Sequence, residues 1–400
     1  MLCKQSGKSR NMTQYNKRYK TLATNLVHAG APHPNIERAV ATPVFQSANF
    51  LMGDEQTYDA VKYIRLNNTP NHHVLHNKLA AIENGEAAVV TASGMAAISA
   101  TILAFVKAGD HLLAQNTLYG GTQNFLADDS AGFGFSFDNI DVGPGADESK
   151  WESALRQNTK MIYVESISNP LMEVGNLRAV VKFAKAHNLL AVIDNTFTTA
   201  VNFRPLEMGF DIVVHSATKY LNGHSDIVAG AVIGSAERIH TINHLLLHLG
   251  GSLDPHACFL LERGMKTLQL RVKQQNENAQ KLADFLMQHP AVRKVVYPGL
   301  PDDPSHVNAS ACFDGFGGML SFYTKDVAHA ESFLERVTIP KNAASLGGVE
   351  SLVVRPSRSS HLGVPQEERE RLGVTDDFIR VSVGIEDKDE LIEDFNRALS

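Results

Sequence analysis

The middle of the chain alternates short apolar runs with longer segments in which apolar residues recur at helical spacing. The apolar runs predict strands at residues 87–91, 111–115, 161–165, 189–194, 212–215 and 227–233. The intervening segments predict helices at residues 94–107, with Ser93 as the N-cap, and at 151–157 and 177–187. This alternation is typical of an α/β fold, in which helices cover both faces of a mostly parallel sheet.

The pattern changes near residues 250–255, where glycine, serine, aspartate and proline are concentrated. Beyond this point we predict a long helix at 256–288, strands at 315–323, 345–354 and 378–384, and a last helix at 387–399. A chain of 400 residues is long enough for two or three domains. We therefore predict an N-terminal arm at 1–65, a large domain at 66–255 and a smaller C-terminal α+β domain at 256–400.

Composition and charge argue against nucleic-acid-binding and membrane-spanning proteins. The 37 basic and 43 acidic residues give a net charge of −6, which argues against nucleic acid as the main partner. No apolar run reaches about 18 residues, so we expect no membrane-spanning segment. Cys3, Cys258 and Cys312 form no CxxC pair and are expected to be reduced thiols, which favours a cytoplasmic protein.

The first twenty residues contain six basic residues and no acidic residue. They lack the apolar stretch of a secretory signal. We interpret them as a disordered arm, with Met12 as an alternative start, and keep an organellar presequence as the alternative.

The chemistry indicated most strongly is that of pyridoxal phosphate (PLP). Lys219 lies beside the hydroxyl residues Ser216 and Thr218, just after a predicted buried strand. Such a lysine can form a Schiff base with an aldehyde cofactor while the hydroxyls bind its phosphate. Asp194 ends another predicted strand, where a carboxylate would keep a pyridine nitrogen protonated. The alternatives are a surface lysine and a carboxylate that only caps a helix.

Three further patterns bear on this interpretation. The turn around Gly94 leads from a strand into a helix, whose first N–H groups can bind a phosphate, and the ring of Tyr119 could stack on a cofactor. His72, His73 and His76 are interpreted as a solvated helix face rather than a metal site, because no HExxH-type glutamate accompanies them. No GxGxxG follows a strand, which disfavours a dinucleotide site.

From about residue 20 onward, the chain resembles the Cys/Met-metabolism PLP-dependent enzymes, which include cystathionine γ-lyase, cystathionine γ-synthase and methionine γ-lyase. The resemblance is carried by the segments YIR at 63–65, ASGM at 92–95, YGGT at 119–122, DNTF at 194–197, SATK at 216–219, NGHSD at 222–226, SLGG at 345–348 and RVSVG at 380–384. It implies the PLP-dependent transferase fold of the aspartate aminotransferase type.

The resemblance also implies roles for individual residues. Lys219 would carry PLP, Asp194 would face the pyridine nitrogen, and Tyr119 would assist proton transfer. The phosphate would be held by Gly94, Met95, Ser216 and Thr218. Asn169 would contact the phenolic oxygen of the cofactor, and the substrate would be bound by Asn169, Ser345 and Arg380, the last on the α-carboxylate.

The resemblance further implies a shared active site. Tyr63 and Arg65 would reach from the N-terminal arm to the phosphate of the neighbouring subunit, where the planar guanidinium suits phosphate oxygens. The alternative for Arg65 is an exposed loop arginine. A homotetramer built as a dimer of dimers is therefore expected.

The expected activity is γ-elimination from cystathionine or methionine, giving a thiol, ammonia and 2-oxobutanoate. Ala344 replaces the glutamate that cystathionine enzymes usually place before SLGG, whereas Gly121 replaces the cysteine common in methionine γ-lyases. Residues 67–71 depart from the usual Gly-Asn-Pro-Thr. Arg355 and Arg358 either add positive charge near the active-site entrance or, as we favour, are exposed surface residues. The alternatives are a γ-replacement enzyme (cystathionine γ-synthase or homoserine-ester sulfhydrylase) and a catalytically silent PLP-fold binding protein.

Overall fold

The computed structural model describes residue 15 and residues 17–359, 362 and 365–400. Cys3, Met12 and three of the six basic residues in the first twenty positions, Lys4, Lys8 and Arg10, lie outside these residues. Among the described helices, none combines the length and hydrophobicity needed to span a bilayer.

A seven-stranded sheet forms the centre of the larger part of the molecule. Its strands are β1 (Ala87–Thr91), β2 (His111–Gln115), β3 (Ser136–Ile140), β4 (Thr159–Glu165), β5 (Leu190–Asp194), β6 (Ile212–His215) and β7 (Gly230–Gly234). The strand order is β1-β7-β6-β5-β4-β2-β3, and β7 runs antiparallel to both of its neighbours while the remaining pairs are parallel. The predicted mostly parallel sheet is therefore confirmed. Strand β3 escaped prediction because it is largely polar and only partly buried.

Helices cover the faces of this sheet. They are α1 (Leu22–His28), α2 (Pro70–Ile82), α3 (Gly94–Phe105), α4 (Gly120–Asn124), α5 (Ser149–Ala154), α6 (Leu177–Ala186), α7 (Thr199–Asn202), α8 (Pro205–Met208) and α9 (Ala236–Leu249). The predicted N-cap of α3 is confirmed, since Ser93 Oγ accepts the amide of Ala96 at 3.0 Å. Helix α6 buries Leu177, Val180 and Val181 on one face, as its sequence periodicity requires.

The second part of the chain forms a five-stranded sheet of order β10-β11-β12-β9-β8. Its elements are α10 (Pro255–Met265), α11 (Leu268–Gln288), β8 (Val292–Val296), α12 (His306–Cys312), β9 (Met319–Thr324), α13 (Val327–Arg336), β10 (Lys341–Asn342), β11 (Leu352–Val354), α14 (Gln366–Arg371), β12 (Phe378–Ser382) and α15 (Lys388–Leu399). The strands combine with flanking helices, as the predicted α+β arrangement requires. The domain boundaries near residues 65 and 255 stay predictions.

Two predicted elements are wrong. The helix expected at 256–288 is two helices, because the chain leaves regular helix at Lys266 and Thr267. The strand expected at 345–354 is present only at Leu352–Val354. Ser345 and Gly347 have φ angles of 107° and 77°, which are incompatible with extended backbone, so the segment before β11 is a loop.

The prediction that His72, His73 and His76 form a solvated helix face is also wrong. His72 is fully buried on α2, where its Nδ1 lies 2.8 Å from Thr69 Oγ1 and its Nε2 donates to the carbonyl of Leu253 at 2.7 Å. Burial lowers the pKa of His72 to about 4 and also lowers the pKa of His73 and His76. In the part of the chain that the structure describes, no three potential metal-ligand side chains converge.

Candidate active site

The carboxyl ends of β5 and β6 bring Asp194 and Ser216 to the same edge of the sheet. Thr196 connects them: its Oγ1 accepts the amide of Ser216 at 2.8 Å and donates to Asp194 Oδ1 at 2.5 Å. The Thr196 amide donates to the same oxygen at 2.9 Å. Asp194 is thus buried and held in one orientation by two donors. This edge is where ligands bind in open parallel sheets.

The start of α3 lies against the residue that follows β6. A Cβ atom placed on Gly94 would lie 2.8 Å from Ser216 Cβ and 2.9 Å from Ser216 Oγ, so only glycine fits here without displacement. Thr218 is held nearby by the backbone of Ala229, whose amide donates to Thr218 Oγ1 at 3.0 Å. The first amides of α3 and the Ser216 hydroxyl therefore meet at one place, as an anion site requires, and Thr218 lies two residues further along the chain.

Four of the predicted residues form a chain of hydrogen bonds. Lys219 Nζ donates to Ser345 Oγ at 2.7 Å. Arg380 donates to the Ser345 carbonyl at 3.2 Å and to Asn169 Oδ1 at 2.9 Å. The left-handed φ of Ser345 is costly for a residue with a side chain, and such strain persists where the surroundings impose it. The structure thus joins the lysine to the residues predicted to bind substrate.

Tyr119 lies at the start of α4, with its side chain 47% exposed. A Cβ atom placed on Gly121 would lie 2.6 Å from Tyr119 Cε1 and 2.9 Å from Met95 Sδ. Glycine at 121 is therefore what allows the tyrosine ring and the methionine to approach each other.

Tyr63 and Arg65 are not joined to this group. Arg65 donates to the Leu247 carbonyl at 2.9 Å and to the Tyr58 hydroxyl at 2.5 Å, and Tyr63 is 38% exposed. Within the described part of the chain, no hydrogen bond links either residue to Lys219, Asp194 or Arg380.

The favoured interpretation of Arg355, an exposed surface residue, is wrong. Arg355 is only 5% exposed and donates to Glu331 at 3.0 Å, with Asp376 at 3.9 Å. It is therefore a buried, ion-paired residue, and the alternative, a positive charge near the entrance, stays a prediction. Arg358 is exposed, as expected.

The chain matches a known protein family along nearly its whole length. The model of the Cys/Met metabolism PLP-dependent enzymes matches residues 23–400. The chain belongs to this family. Its cofactor is pyridoxal phosphate, and the resemblance drawn from the sequence is confirmed.

Individual members of the family are similar over nearly their whole length. Cystathionine β-lyase of Coxiella burnetii is 41% identical over 394 residues, which cover 97% of this chain and 100% of that protein. Cystathionine γ-lyase of Bacillus subtilis is 38% identical, covering 94% of this chain and 98% of that protein. The structure of cystathionine γ-lyase from Lactobacillus plantarum has a TM-score of 0.89 at 36% identity, covering 95% and 98% of the two chains. The predicted PLP-dependent fold is confirmed.

The residues of this family member fit the cofactor. The absence of a side chain at Gly94 lets the first amides of α3 approach the Ser216 hydroxyl, which together supply donors for a phosphate, and Asp194 offers a buried carboxylate for the ring nitrogen. Burial, and secondarily the charge of Arg380, lowers the pKa of Lys219 to about 8. About a tenth of the amine is then neutral at pH 7, against less than about 0.1% for an ordinary lysine. A neutral amine is the form that reacts with an aldehyde.

Glu165, the last residue of β4, belongs to this site but was not predicted from the sequence. It lies in register with Asp194 on the adjacent parallel strand, and its Oε1 accepts the amide of Tyr119 at 2.6 Å. Burial, followed by the charge of Asp194, raises the pKa of Glu165 well above its usual range. Burial also raises the pKa of Asp194, and the two hydrogen bonds from Thr196 oppose this rise. A neutral Glu165 would let Asp194 ionise without placing two buried charges side by side. A glutamate that ends an apolar strand was the available signal.

Glu165→Leu is expected to lower kcat/KM about 5- to 100-fold, because the Tyr119 amide loses a buried acceptor. Glu165→Gln should stay within about threefold of the original enzyme, since it keeps a neutral acceptor of the same shape. The measurement is kcat and KM for the two variants across pH, with the exposed Glu335→Gln as a control. Equal losses in the Gln and Leu variants would contradict a neutral positioning role.

Proposed function

We propose that this protein is a PLP-dependent carbon–sulfur lyase that performs γ-elimination on cystathionine or methionine. The observation that carries the proposal is the chain of bonds from Lys219 through Ser345 and Arg380 to Asn169, which joins an activated amine to a carboxylate-binding arginine. The similar enzymes from Coxiella burnetii and Bacillus subtilis are both named as lyases of cystathionine. These names support carbon–sulfur bond cleavage.

The proposed reaction depends on how these residues hold the substrate and its protons. PLP supplies the electron sink that stabilises negative charge at the substrate Cα. Arg380 pairs with the α-carboxylate through two N–H donors, and Asn169 orients its guanidinium. Lys219 removes the Cα proton, for which its lowered pKa suits it. Asp194 stabilises the protonated ring nitrogen.

Tyr119 is proposed to transfer protons at the γ substituent as the thiol leaves. Its ring is accessible, while its amide is fixed by Glu165 at 2.6 Å. An anchored backbone with an accessible phenol combines precise placement with access to the substrate. The phosphate would be bound by the amides of Gly94 and Met95 with the hydroxyls of Ser216 and Thr218.

The choice between cystathionine and methionine depends on the distal end of the substrate. Ala344 is exposed and precedes Ser345, so it offers no charge to a distal ammonium. This favours a short thioether. Gly121, which makes room for the Tyr119 ring, instead favours cystathionine. Both substrates are therefore included in the proposal.

The products of L-cystathionine cleavage test the position of the broken bond. We expect cysteine and 2-oxobutanoate, with 2-oxobutanoate exceeding pyruvate by about tenfold, a difference of about 1.4 kcal/mol between the two barriers. Chromatography of the 2-oxo acids measures this ratio. A second candidate, β-elimination, is favoured by the 41% identity to a protein named cystathionine β-lyase. Pyruvate and homocysteine as main products would establish it and contradict γ-elimination.

A second arm of the experiment addresses the replacement reaction. O-acetylhomoserine is supplied with and without sulfide, and homocysteine is measured. Homocysteine formed only with sulfide, and faster than 2-oxobutanoate, would identify a γ-replacement enzyme. L-methionine is run in parallel, so that release of methanethiol reports the short thioether.

We also propose a cytoplasmic homotetramer, a dimer of dimers, in which Tyr63 and Arg65 complete the phosphate site of the neighbouring subunit. The support is that, among the described residues, neither side chain hydrogen-bonds to the Lys219 group of its own chain, while Arg65 donates to the Leu247 carbonyl near the end of α9. The N-terminal arm at 1–65 would carry both residues across the subunit interface.

A further inference from the structure

A cavity of about 530 Å³ opens between the loop after β4 and the strands of the C-terminal sheet. Its walls include Leu171 and Glu173 from that loop, Arg293 and Lys294 from β8, and Tyr323 from β9. Lys219, Asp194 and Arg380 are not among the lining residues. The volume lies in the range of small-molecule sites, which are commonly found between domains.

The cavity has a cation and an anion that do not pair with each other. Lys294 is exposed, and among the described residues no carboxylate lies within ion-pair distance of its amine. Glu173 is half-buried, and burial raises its pKa, with Asp141 and Asp303 adding to the effect and Lys294 opposing it. Lys294 and Glu173 therefore influence each other electrostatically across a gap.

The neighbouring polar groups are already engaged. Arg293 pairs with Asp377 at 2.8 Å and lies 4.4 Å over the ring of Tyr323. The Tyr323 hydroxyl donates to the Gly373 carbonyl at 2.8 Å.

The lining also includes Asp303, which accepts the amides of Tyr297 and Ser305, and the exposed residues Asp302 and Arg371. Lys294 Nζ lies 5.8 Å from the centroid of the Tyr323 ring. Leu171 and the ring of Tyr323 therefore offer apolar surface next to Lys294, with Glu173 in the same cavity wall.

We propose that this cavity binds a free amino acid as a zwitterion. Its carboxylate binds Lys294, its ammonium binds Glu173, and its apolar side chain packs on Leu171 and Tyr323. A ligand with one positive and one negative group matches the opposite charges of Lys294 and Glu173, which both lie near Tyr323, whereas a simple anion would meet the carboxylate of Glu173. Each pairing is a charge-assisted hydrogen bond.

The cavity is connected to the substrate site by a short loop. Ser168 and Glu173 close this loop with two bonds: the Ser168 amide donates to the Glu173 carbonyl at 2.9 Å, and the Glu173 amide donates to Ser168 Oγ at 3.1 Å. Asn169 lies inside the loop and accepts from Arg380. Binding at Glu173 is therefore placed to shift Asn169 and, on the proposed function, to alter the affinity for substrate.

A second connection runs through β9. Ser321 pairs in register with Arg380 on β12, and its hydroxyl donates to the Pro170 carbonyl at 3.3 Å. Tyr323 follows two residues later on the same strand and lines the cavity. Strand β9 therefore lines the cavity through Tyr323 and also pairs, through Ser321, with the strand that carries Arg380.

Calorimetric titration of the Arg380→Ala holoenzyme with L-leucine tests the site, because this variant has lost its substrate clamp and L-leucine has no leaving group. We expect one saturable site per protomer. Adding Lys294→Ala or Glu173→Gln should weaken binding about 10- to 100-fold. Lys281→Ala, at an exposed position of α11, is the matched control and should leave binding unchanged.

Absence of saturable heat, or binding that resists both substitutions, would overturn the proposal. This readout does not depend on turnover, so it stands even if the proposed reaction fails. For the connection to the substrate site, L-leucine should change the substrate KM of the unmodified enzyme more than that of Lys294→Ala. Equal changes in both enzymes would overturn that connection.

Discussion

Lys219→Ala is expected to reduce turnover by more than about 10³-fold, the largest effect of any single substitution in this enzyme. The loss of a positioned base alone removes about 10²–10⁴-fold, and the covalent link to the cofactor is lost with it. The amine is suited to both roles because burial and Arg380 lower its pKa to about 8. Steady-state kinetics and the visible absorbance of the lysine-bound cofactor measure the two losses separately.

The conservative variant Lys219→Arg should be equally inactive, since a guanidinium remains charged and does not form the link. Lys281→Ala, which removes an exposed lysine of α11, should retain both absorbance and turnover. Substantial turnover in Lys219→Ala would remove the basis of the proposed reaction. Cofactor absorbance retained in that variant would assign the covalent link to another amine.

Arg380→Ala is expected to lower kcat/KM about 10²–10³-fold, mainly through KM. The guanidinium is 6% exposed and already oriented by Asn169 and Ser345. Two charge-assisted hydrogen bonds to the substrate carboxylate are lost, each contributing about 1.5–3 kcal/mol. The measurement is a full KM and kcat determination with the substrate that the product analysis identifies.

Arg380→Lys should recover only part of the loss, because an ammonium cannot form the paired, planar contact. Arg156→Ala serves as the control: it removes an arginine that pairs with Asp138 at 2.6 Å on the surface, and KM should not change. A KM for Arg380→Ala close to that of the original enzyme would show that the carboxylate binds elsewhere.

Elements with a strong local pattern were predicted well. Strand β1, helix α3 with its Ser93 cap, and the ends of β5 and β6 follow directly from runs of apolar residues and a capping hydroxyl. Strand β3 was missed because its polar residues carry no strand pattern. The strand expected at 345–354 was wrong because the left-handed residues Ser345 and Gly347 interrupt an otherwise apolar run.

The candidate site residues also divide into those with a local sequence signal and those whose environment depends on remote segments. Asp194, Ser216 and Lys219 were predicted from the sequence because each lies at or soon after the end of a buried strand, and strand ends meet at one edge of a parallel sheet. His72 was misinterpreted because its burial depends on the carbonyl of Leu253, far away in the chain. Arg355 was misinterpreted for a similar reason, since Glu331 and Asp376 come from other elements.

The sequence by itself determined the α/β class and the PLP-dependent family, since these depend on local hydrophobic order and short motifs, and it predicted the positions of the cofactor-binding segments. Only the tertiary structure joined Lys219 to Ser345, 126 residues away, and Arg380 to Asn169, 211 residues away. The tertiary structure alone also revealed the hydrogen bond from the Tyr119 amide to Glu165 and the cavity lined by Lys294. Hydrogen bonds and unpaired charges depend on distances of a few ångströms between remote segments, and chain order does not specify such distances.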